Sequence, residues 1–191
     1  MEAALHARDL APALAAISPG ELASPAGMRR SAVAMLLSFD SPEPCVLLMT
    51  RAEREGDRWS GQVGLPGGHE DASDVDLVAT AARETREELG FDLLAHATLL
   101  GRLPPIQARA RAELLPLWIH PLVFARARHQ ELVLGAEARE AFWLPLASAR
   151  AGALVILLGT ALTTAPTLTT TGVGLSFTGA TPTQGIVVGA G

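Results

Sequence analysis

The 191 residues suffice for one domain with a hydrophobic core, and an apolar fraction of 49% argues against a disordered chain. The formal net charge of −5 argues against a nucleic-acid-binding surface, since such domains are usually basic. No apolar run reaches the roughly 20 residues that span a bilayer and no secretory signal is visible, so we expect a cytoplasmic protein without a membrane partner.

The first part of the chain predicts a short helix followed by two strands. The helix covers residues 9–17, with Asp9 as its N-cap and Pro19-Gly20 beyond its end. Two apolar runs, 31–39 and 45–50, are separated by a segment rich in proline, which predicts two strands joined by a tight turn.

The middle of the chain predicts an exposed loop and then the strongest helix. Residues 51–57 are heavily charged and have no apolar period, which favours a loop. The helix covers residues 76–89: Asp74 or Asp76 can cap its start, and Gly90 stands where a left-handed C-terminal cap is expected.

The segment after this helix predicts strands over 97–103 and 117–127 and a helical turn over 136–141. The tail, 151–191, contains no charged residue and no histidine. Its threonines and valines favour a pair of strands, and a disordered tail is an equally open alternative.

Negative charge is concentrated in residues 65–92, which contain eight of the twenty carboxylates. On a helix, Glu84 lies three and four positions from Glu87 and Glu88, so the three share one face. Carboxylates so close together destabilise a fold unless a cation neutralises them, and ligands that are all oxygen favour Mg²⁺ or Mn²⁺. The sequence therefore predicts a Mg²⁺ (or Mn²⁺) site on these three glutamates.

Two neighbouring features fit a phosphate-containing substrate. Gly67 and Gly68 let the backbone approach a ligand closely, and Arg83 can pair with a carboxylate and orient it. The competing interpretation is an acidic, solvated helix face with arginine pairs, which is the commoner origin of such a pattern.

The combined spacing resembles the Nudix box, whose pattern is glycine, five residues, glutamate, seven residues, then R-E-U-x-E-E-x-G-U with U aliphatic. Gly68 supplies the first position, and RETREELGF at 83–91 supplies the second half. Asp74 stands at the first acidic position, and eight residues rather than seven separate it from Arg83. The residues in register in the second half are Arg83, Glu84, Glu87, Glu88 and Gly90.

An upstream segment is similar to the signature LLTxR…GxVxFPGG of the coenzyme A pyrophosphatase branch of that family. Here it is LLMTRAEREGDRWSGQVGLPGG, residues 47–68. The resemblance covers a domain over 28–150, leaving 1–27 as an N-terminal helix and linker and 151–191 as the uncharged tail. It implies an α/β (α+β) fold, with a mixed sheet between helices.

The resemblance also implies Mg²⁺-dependent hydrolysis of a small-molecule nucleotide substrate at a pyrophosphate bond. For coenzyme A the products are 3',5'-ADP and 4'-phosphopantetheine. The implied roles are catalysis by Glu84 and Arg83, metal binding by Glu84, Glu87 and Glu88, and substrate binding by Gly67, Gly68 and Arg51.

Three alternatives remain open at this stage. The substrate could be ADP-ribose or another nucleotide, the domain could be a degenerate one that only binds, and a homodimer is compatible with the sequence. Four further residues are weaker candidates. Arg58 could contact a phosphate or be a solvated surface residue, and Trp59 could stack on a base but is more often a packing residue. His120 is interpreted as a core histidine, and Glu137 as either a late catalytic carboxylate or, preferably, a solvated helix start.

Overall fold

The computed structural model describes residues 6–17, 27–55, 59–110, 113–147, 167–171 and 174–178. Over these residues the chain forms three helices: α1 (Ala7–Ile17), α2 (Leu77–Leu89) and α3 (Leu93–His96). It also forms ten strands: β1 (Arg29–Ser38), β2 (Cys45–Arg51), β3 (Val63–Gly64), β4 (Gly67–His69), β5 (Ala97–Arg102), β6 (Ile106–Ala110), β7 (Glu113–Arg126), β8 (Ala138–Pro145), β9 (Thr167–Thr171) and β10 (Gly174–Thr178).

Eight of the described strands form one mixed sheet around β1. β1 runs parallel to β7, from the pair Arg29↔Leu117 to the pair Leu37↔Ala125, and antiparallel to both β2 and β4. β5 and β6 pair with β7, while β3 and β8 pair with β2. The strands predicted over 31–39, 45–50, 97–103 and 117–127 are confirmed, and β7 begins four residues earlier than predicted.

The two faces of this sheet are covered by different helices. Ala32 and Ala34 of β1 pack in one buried cluster with Ala81 of α2. Leu37, whose side chain points to the other face, packs in a second cluster with Leu14 of α1. Because side chains alternate along a strand, α1 and α2 lie on opposite faces. The predicted mixed sheet between helices is confirmed.

Helix α2 has the caps that its sequence predicts. The Asp76 carboxylate accepts a hydrogen bond of 2.8 Å from the Ala79 N–H, so Asp76 rather than Asp74 is the N-cap. Gly90 has a φ of 64° and donates its N–H to the Arg86 carbonyl. The helix begins and ends within one residue of the predicted bounds, which fixes the orientation of the glutamates on it.

Two local predictions were wrong. Helix α1 begins at Ala7, and Asp9 lies in its first turn, where its carboxylate accepts the His6 N–H. Residues 136–141 are not a helical turn: β8 begins at Ala138 and pairs with the whole length of β2. The backbone hydrogen bonds available along β2 outweigh a weak local preference for helix.

β6 is not predicted by the sequence pattern, because its two alanines are poor strand formers.

The tail contributes the short strands β9 and β10, which pair antiparallel from Thr167↔Thr178 to Thr171↔Gly174. The strand alternative is therefore confirmed for these ten residues. Among the described residues no helix has both the length and the hydropathy to cross a membrane.

Candidate active site

Helix α2 presents its three glutamates in three different environments. The side chain of Glu88 is 2% exposed, that of Glu84 12% and that of Glu87 56%. Glu84 and Glu88 are one turn apart and face the sheet, whereas Glu87 points toward solvent. Of the three predicted metal ligands, Glu88 is therefore buried and Glu84 half-buried, whereas carboxylates on an ordinary solvated helix face are exposed.

The two glycines of β4 lie directly beneath these carboxylates. A Cβ on Gly68 would overlap the Glu84 carboxylate, with the Glu84 Oε1 atom only 2.6 Å away. The Gly67 N–H donates a hydrogen bond of 2.8 Å to Glu88 Oε2. Gly67 also has a φ of 148°, and its Cβ would overlap the backbone of β1. Glycine is required at both positions, for a different reason at each.

Arg83 ties the helix to the loop that precedes it. Its guanidinium makes two hydrogen bonds to the Asp74 carboxylate, at 3.1 and 3.0 Å, and a third of 2.9 Å to the carbonyl of His69. The remaining nitrogen, Nη1, donates to Glu84 Oε1 at 2.8 Å and lies 3.5 Å from Glu87 Oε2. Arg83 therefore contacts the Glu84 carboxylate while it is bound to Asp74, and its predicted role as an orienting residue stays a prediction.

This contact stabilises the charged form of Asp74, because the hydrogen bonds from Arg83 lower the pKa of Asp74 from 3.8 to about 2. A lowered carboxyl pKa stabilises the fold above the unfolded value of 3.8, and that stabilisation is lost as the pH falls toward 2. We predict that Asp74→Asn lowers the free energy of unfolding at pH 7 by about 1.5–3 kcal/mol, and that the difference from wild type shrinks between pH 4 and pH 2.

Urea titrations at pH 7, 4 and 2.5 measure this difference. Glu53→Gln is the matched control, since Glu53 forms an exposed ion pair with Arg139 whose loss changes the free energy by less than about 1 kcal/mol. A difference between Asp74→Asn and wild type that is the same at all three pH values would contradict the assignment.

The two carboxylates that face the sheet are not electrostatically satisfied in the protein alone. Burial, together with the negative charges of Glu84 and Glu137, raises the pKa of Glu88 to about 8, against the opposing effects of the Gly67 N–H and Arg51. Burial also raises the pKa of Glu84, although Arg83 opposes it. A neighbouring cation would relieve both shifts.

Arg51 was predicted to lie in an exposed loop, which is wrong. It is the last residue of β2, is 6% exposed, and places its Nη1 atom 3.7 Å from Glu88 Oε1. The sequence held a signal for this position: Leu47 and Met49 face α2, and alternation along the strand carries Arg51 to the same face.

Glu137 joins the site from the other side. It lies in the turn before β8, not at a helix start, and its charge raises the pKa of both Glu84 and Glu88. Its carboxylate pairs with Arg54 at 3.0 Å. The segment before Glu137 is hydrogen-bonded to the end of α2, where the Gly135 N–H donates to the Glu88 carbonyl at 2.8 Å. The sequence favours a solvated role for Glu137, because Glu84 and Glu88, whose pKa values it raises, are about 50 residues away in the chain.

The donor set fits a divalent cation in kind, since it consists of carboxylate oxygens on one helix whose mutual repulsion a cation would relieve. Over the described part of the chain, no three His, Cys, Asp or Glu side chains converge on one point. Arg83 lies between Glu84 and Glu87, and Glu88 is turned toward Gly67. Binding an ion therefore requires Glu87 to turn away from Arg83, which an exposed ion pair permits at little cost.

Of the remaining candidates, Arg58 is not among the described residues. His120 is half-buried in β7, and Trp59 is half-buried in a turn. The predicted roles of Gly67, Gly68 and Arg51 in binding substrate stay predictions: the structure adds that all three contact the glutamates of α2.

A family model described as the NUDIX domain matches residues 28–158, more than half of the chain. The human mitochondrial coenzyme A diphosphatase NUDT8 is 37% identical over 106 residues, which cover 54% of this chain and 43% of that protein. The peroxisomal coenzyme A diphosphatase ndx-8 of Caenorhabditis elegans is 34% identical over 122 residues, which cover 63% and 50%. The chain spans half or less of the length of these curated relatives.

The solved structure of a C. elegans Ap4A hydrolase binary complex superimposes with a TM-score of 0.53 at 16% identity, covering 68% of this chain and 85% of that one. At this identity the likeness concerns the fold alone. It agrees with the eight-stranded mixed sheet and the helices on its two faces.

Proposed function

The chain belongs to the Nudix family, and from that premise we propose that it hydrolyses the pyrophosphate bond of a nucleoside diphosphate linked to another group. We take coenzyme A as the substrate and Mg²⁺ (or Mn²⁺) as the cofactor. The observation that carries the proposal is the pair of carboxylates, the half-buried Glu84 and the buried Glu88, which α2 holds against Gly68 and Gly67 of β4.

The acidic side chains bind the cation and accept a proton in this proposal. Glu84, Glu87 and Glu88 hold the cation, which when bound offsets the charge of the diphosphate and lowers the pKa of a water molecule. Glu84 also accepts a proton from the attacking water, because its carboxylate is fixed by Arg83 and only slightly exposed. Glu137 adds a fourth negative charge that faces Glu84 and Glu88.

Arg83 and Asp74 act together as the support of this site. Asp74 holds two nitrogens of the guanidinium, so the third is directed at Glu84. A planar group held at two points leaves little freedom at the remaining one. In our proposal this fixed arrangement keeps the proton acceptor in place while the substrate enters and leaves.

Coenzyme A is favoured over other diphosphates by two observations. The relatives reported above are named coenzyme A diphosphatases, and the segment 47–68 is similar to the signature of that branch. In this reaction water adds to one phosphorus of the diphosphate, the bridging P–O bond breaks, and the products are 3',5'-ADP and 4'-phosphopantetheine.

A substrate panel with product identification tests the proposal. Purified protein with Mg²⁺ is incubated separately with coenzyme A, ADP-ribose, a dinucleoside polyphosphate and a nucleoside triphosphate, and the products are identified by mass. We expect 3',5'-ADP and 4'-phosphopantetheine, with coenzyme A the substrate of highest kcat/KM. Preferred cleavage of another diphosphate would replace the specificity, and no cleavage by a folded protein would favour a domain that only binds.

The cytoplasmic location and the homodimer stay predictions. The relatives reported above are named mitochondrial and peroxisomal, so they do not support a cytoplasmic location.

A further inference from the structure

A buried ion pair lies directly beneath the proposed site. The side chains of Arg51 and Glu88 are 8% and 2% exposed, and Arg51 Nη1 is 3.7 Å from Glu88 Oε1. The other carboxylate oxygen, Oε2, accepts the Gly67 N–H at 2.8 Å. The two oxygens of Glu88 therefore each face a different protein group, one on β2 and one on β4.

We propose that Arg51 is a positioning residue, which together with the Gly67 N–H fixes the carboxylate of Glu88 in the protein before any metal or substrate arrives. This inference rests on the proposed function for its consequence in catalysis. The role differs from substrate binding, which the sequence predicted for Arg51. A positioning residue acts through Glu88, whereas a substrate-binding residue would touch a phosphate.

Burial argues for the positioning role. Arg51 lies at the end of a strand whose alternate residues, Leu47 and Met49, are buried against α2. Its side chain is 8% exposed, with the Nη1 atom 3.7 Å from Glu88 Oε1, so little of the guanidinium is open to a phosphate that arrives from solvent.

The energetics of burial point the same way. A buried carboxylate costs a large desolvation energy unless a cation or hydrogen-bond donors offset it, and Arg51 and Gly67 supply both. Removing only the arginine would leave the carboxylate buried without its cation. Removing both charges would leave two neutral groups, so the second substitution should compensate for the first.

A double-mutant cycle in the EDTA-treated protein tests this pairing without any reference to activity. Urea unfolding is measured at pH 9, above the pKa of about 8 of Glu88, so that its carboxylate is charged, for wild type, Arg51→Met, Glu88→Gln and the double variant. We expect Arg51→Met to lower the unfolding midpoint, and the addition of Glu88→Gln to restore at least half of that loss. The exposed pair of Arg139 and Glu53, 3.0 Å apart, is the matched control, and its cycle should be additive.

Kinetics with the preferred substrate separate the two roles of Arg51. A positioning role predicts that Arg51→Met lowers kcat at least tenfold and leaves KM within about twofold, because residues that orient a ligand typically contribute roughly 10–100-fold. Arg51→Lys keeps the charge and should recover part of kcat. Should Arg51→Met fail to fold, Arg51→Gln, which also removes the charge, takes its place in the unfolding cycle.

Additive substitutions in the Arg51 and Glu88 cycle would overturn the proposal. A tenfold rise in KM with kcat retained would overturn it as well, in favour of phosphate contact. A wild-type protein that cleaves none of the substrates would refute the proposed function instead, and the unfolding cycle would still decide whether Arg51 and Glu88 act as a pair.

Discussion

Replacing Glu84 by glutamine is expected to lower kcat by roughly 10²–10⁴-fold, the range for loss of a group that accepts a proton in the reaction. Glutamine has nearly the same shape, so the contact with Gly68 is kept and its amide oxygen can still accept the hydrogen bond from Arg83. The amide can neither accept a proton nor supply a negative charge to a metal ion. The variant therefore separates catalysis from folding.

The stability of Glu84→Gln should stay within about 1 kcal/mol of wild type, because burial already disfavours the charged form of Glu84. Steady-state kinetics and urea unfolding on the same preparation measure the two effects. Glu53→Gln, at a side chain that is 76% exposed, is the matched control and should retain full activity. A Glu84→Gln variant that keeps more than a third of wild-type kcat would exclude Glu84 as the proton acceptor.

Adding a single methyl group to each glycine of β4 is expected to give two opposite results. At Gly68 the new Cβ meets the end of the flexible Glu84 side chain, so Glu84 must move and the backbone need not. A displacement of about 1 Å at a catalytic group can cost on the order of 10²-fold in rate. Gly68→Ala should therefore lose activity by roughly that factor and lose little stability.

At Gly67 the new Cβ meets the backbone of β1, with the Val33 Cα atom 2.6 Å away, and the φ of 148° is unfavourable for any other residue. Overpacking against fixed backbone typically costs about 1–3 kcal/mol, and the strained φ adds to it. Gly67→Ala should therefore lower the free energy of unfolding by at least about 2 kcal/mol. Equal losses of stability in the two variants would contradict the assignment of Gly68 to the Glu84 contact.

Helix α2 shows why part of the site could be predicted from sequence. Its start at Asp76, its end at Gly90 and the spacing of its glutamates are all local properties, which helical geometry converts directly into a shared face. The glycines of β4 were predicted to lie near the glutamates only through their position in a known motif. Local geometry alone does not bring β4 under α2.

Arg51 and Glu137 show what local patterns leave out. Arg51 opens a run of charged residues, so composition favoured a loop, but the pairing of β2 with β8 extends the strand through it and buries it. Glu137 follows Gly135, whose N–H donates a hydrogen bond to the Glu88 carbonyl at the end of α2. These two residues are 47 positions apart in the sequence. Contacts of this range depend on how the elements pack, which a sequence pattern does not contain.

The difference between α2 and β8 has the same origin. Both segments contain alanines near their start, but α2 has caps at both ends and an apolar stripe, whereas β8 pairs with the whole length of β2. Tertiary pairing decides the conformation where local preference is weak.

Removing the divalent metal ion and then adding it back tests most directly whether this chain hydrolyses a pyrophosphate bond in a metal-dependent reaction. The wild-type protein is treated with EDTA, dialysed, and assayed with coenzyme A before and after addition of Mg²⁺, while unfolding measurements confirm that the protein stays folded. We expect cleavage of coenzyme A to cease without the metal and to return with it. Cleavage at the same rate without any divalent ion, or no cleavage by the folded protein with Mg²⁺ present, would contradict metal-dependent hydrolysis.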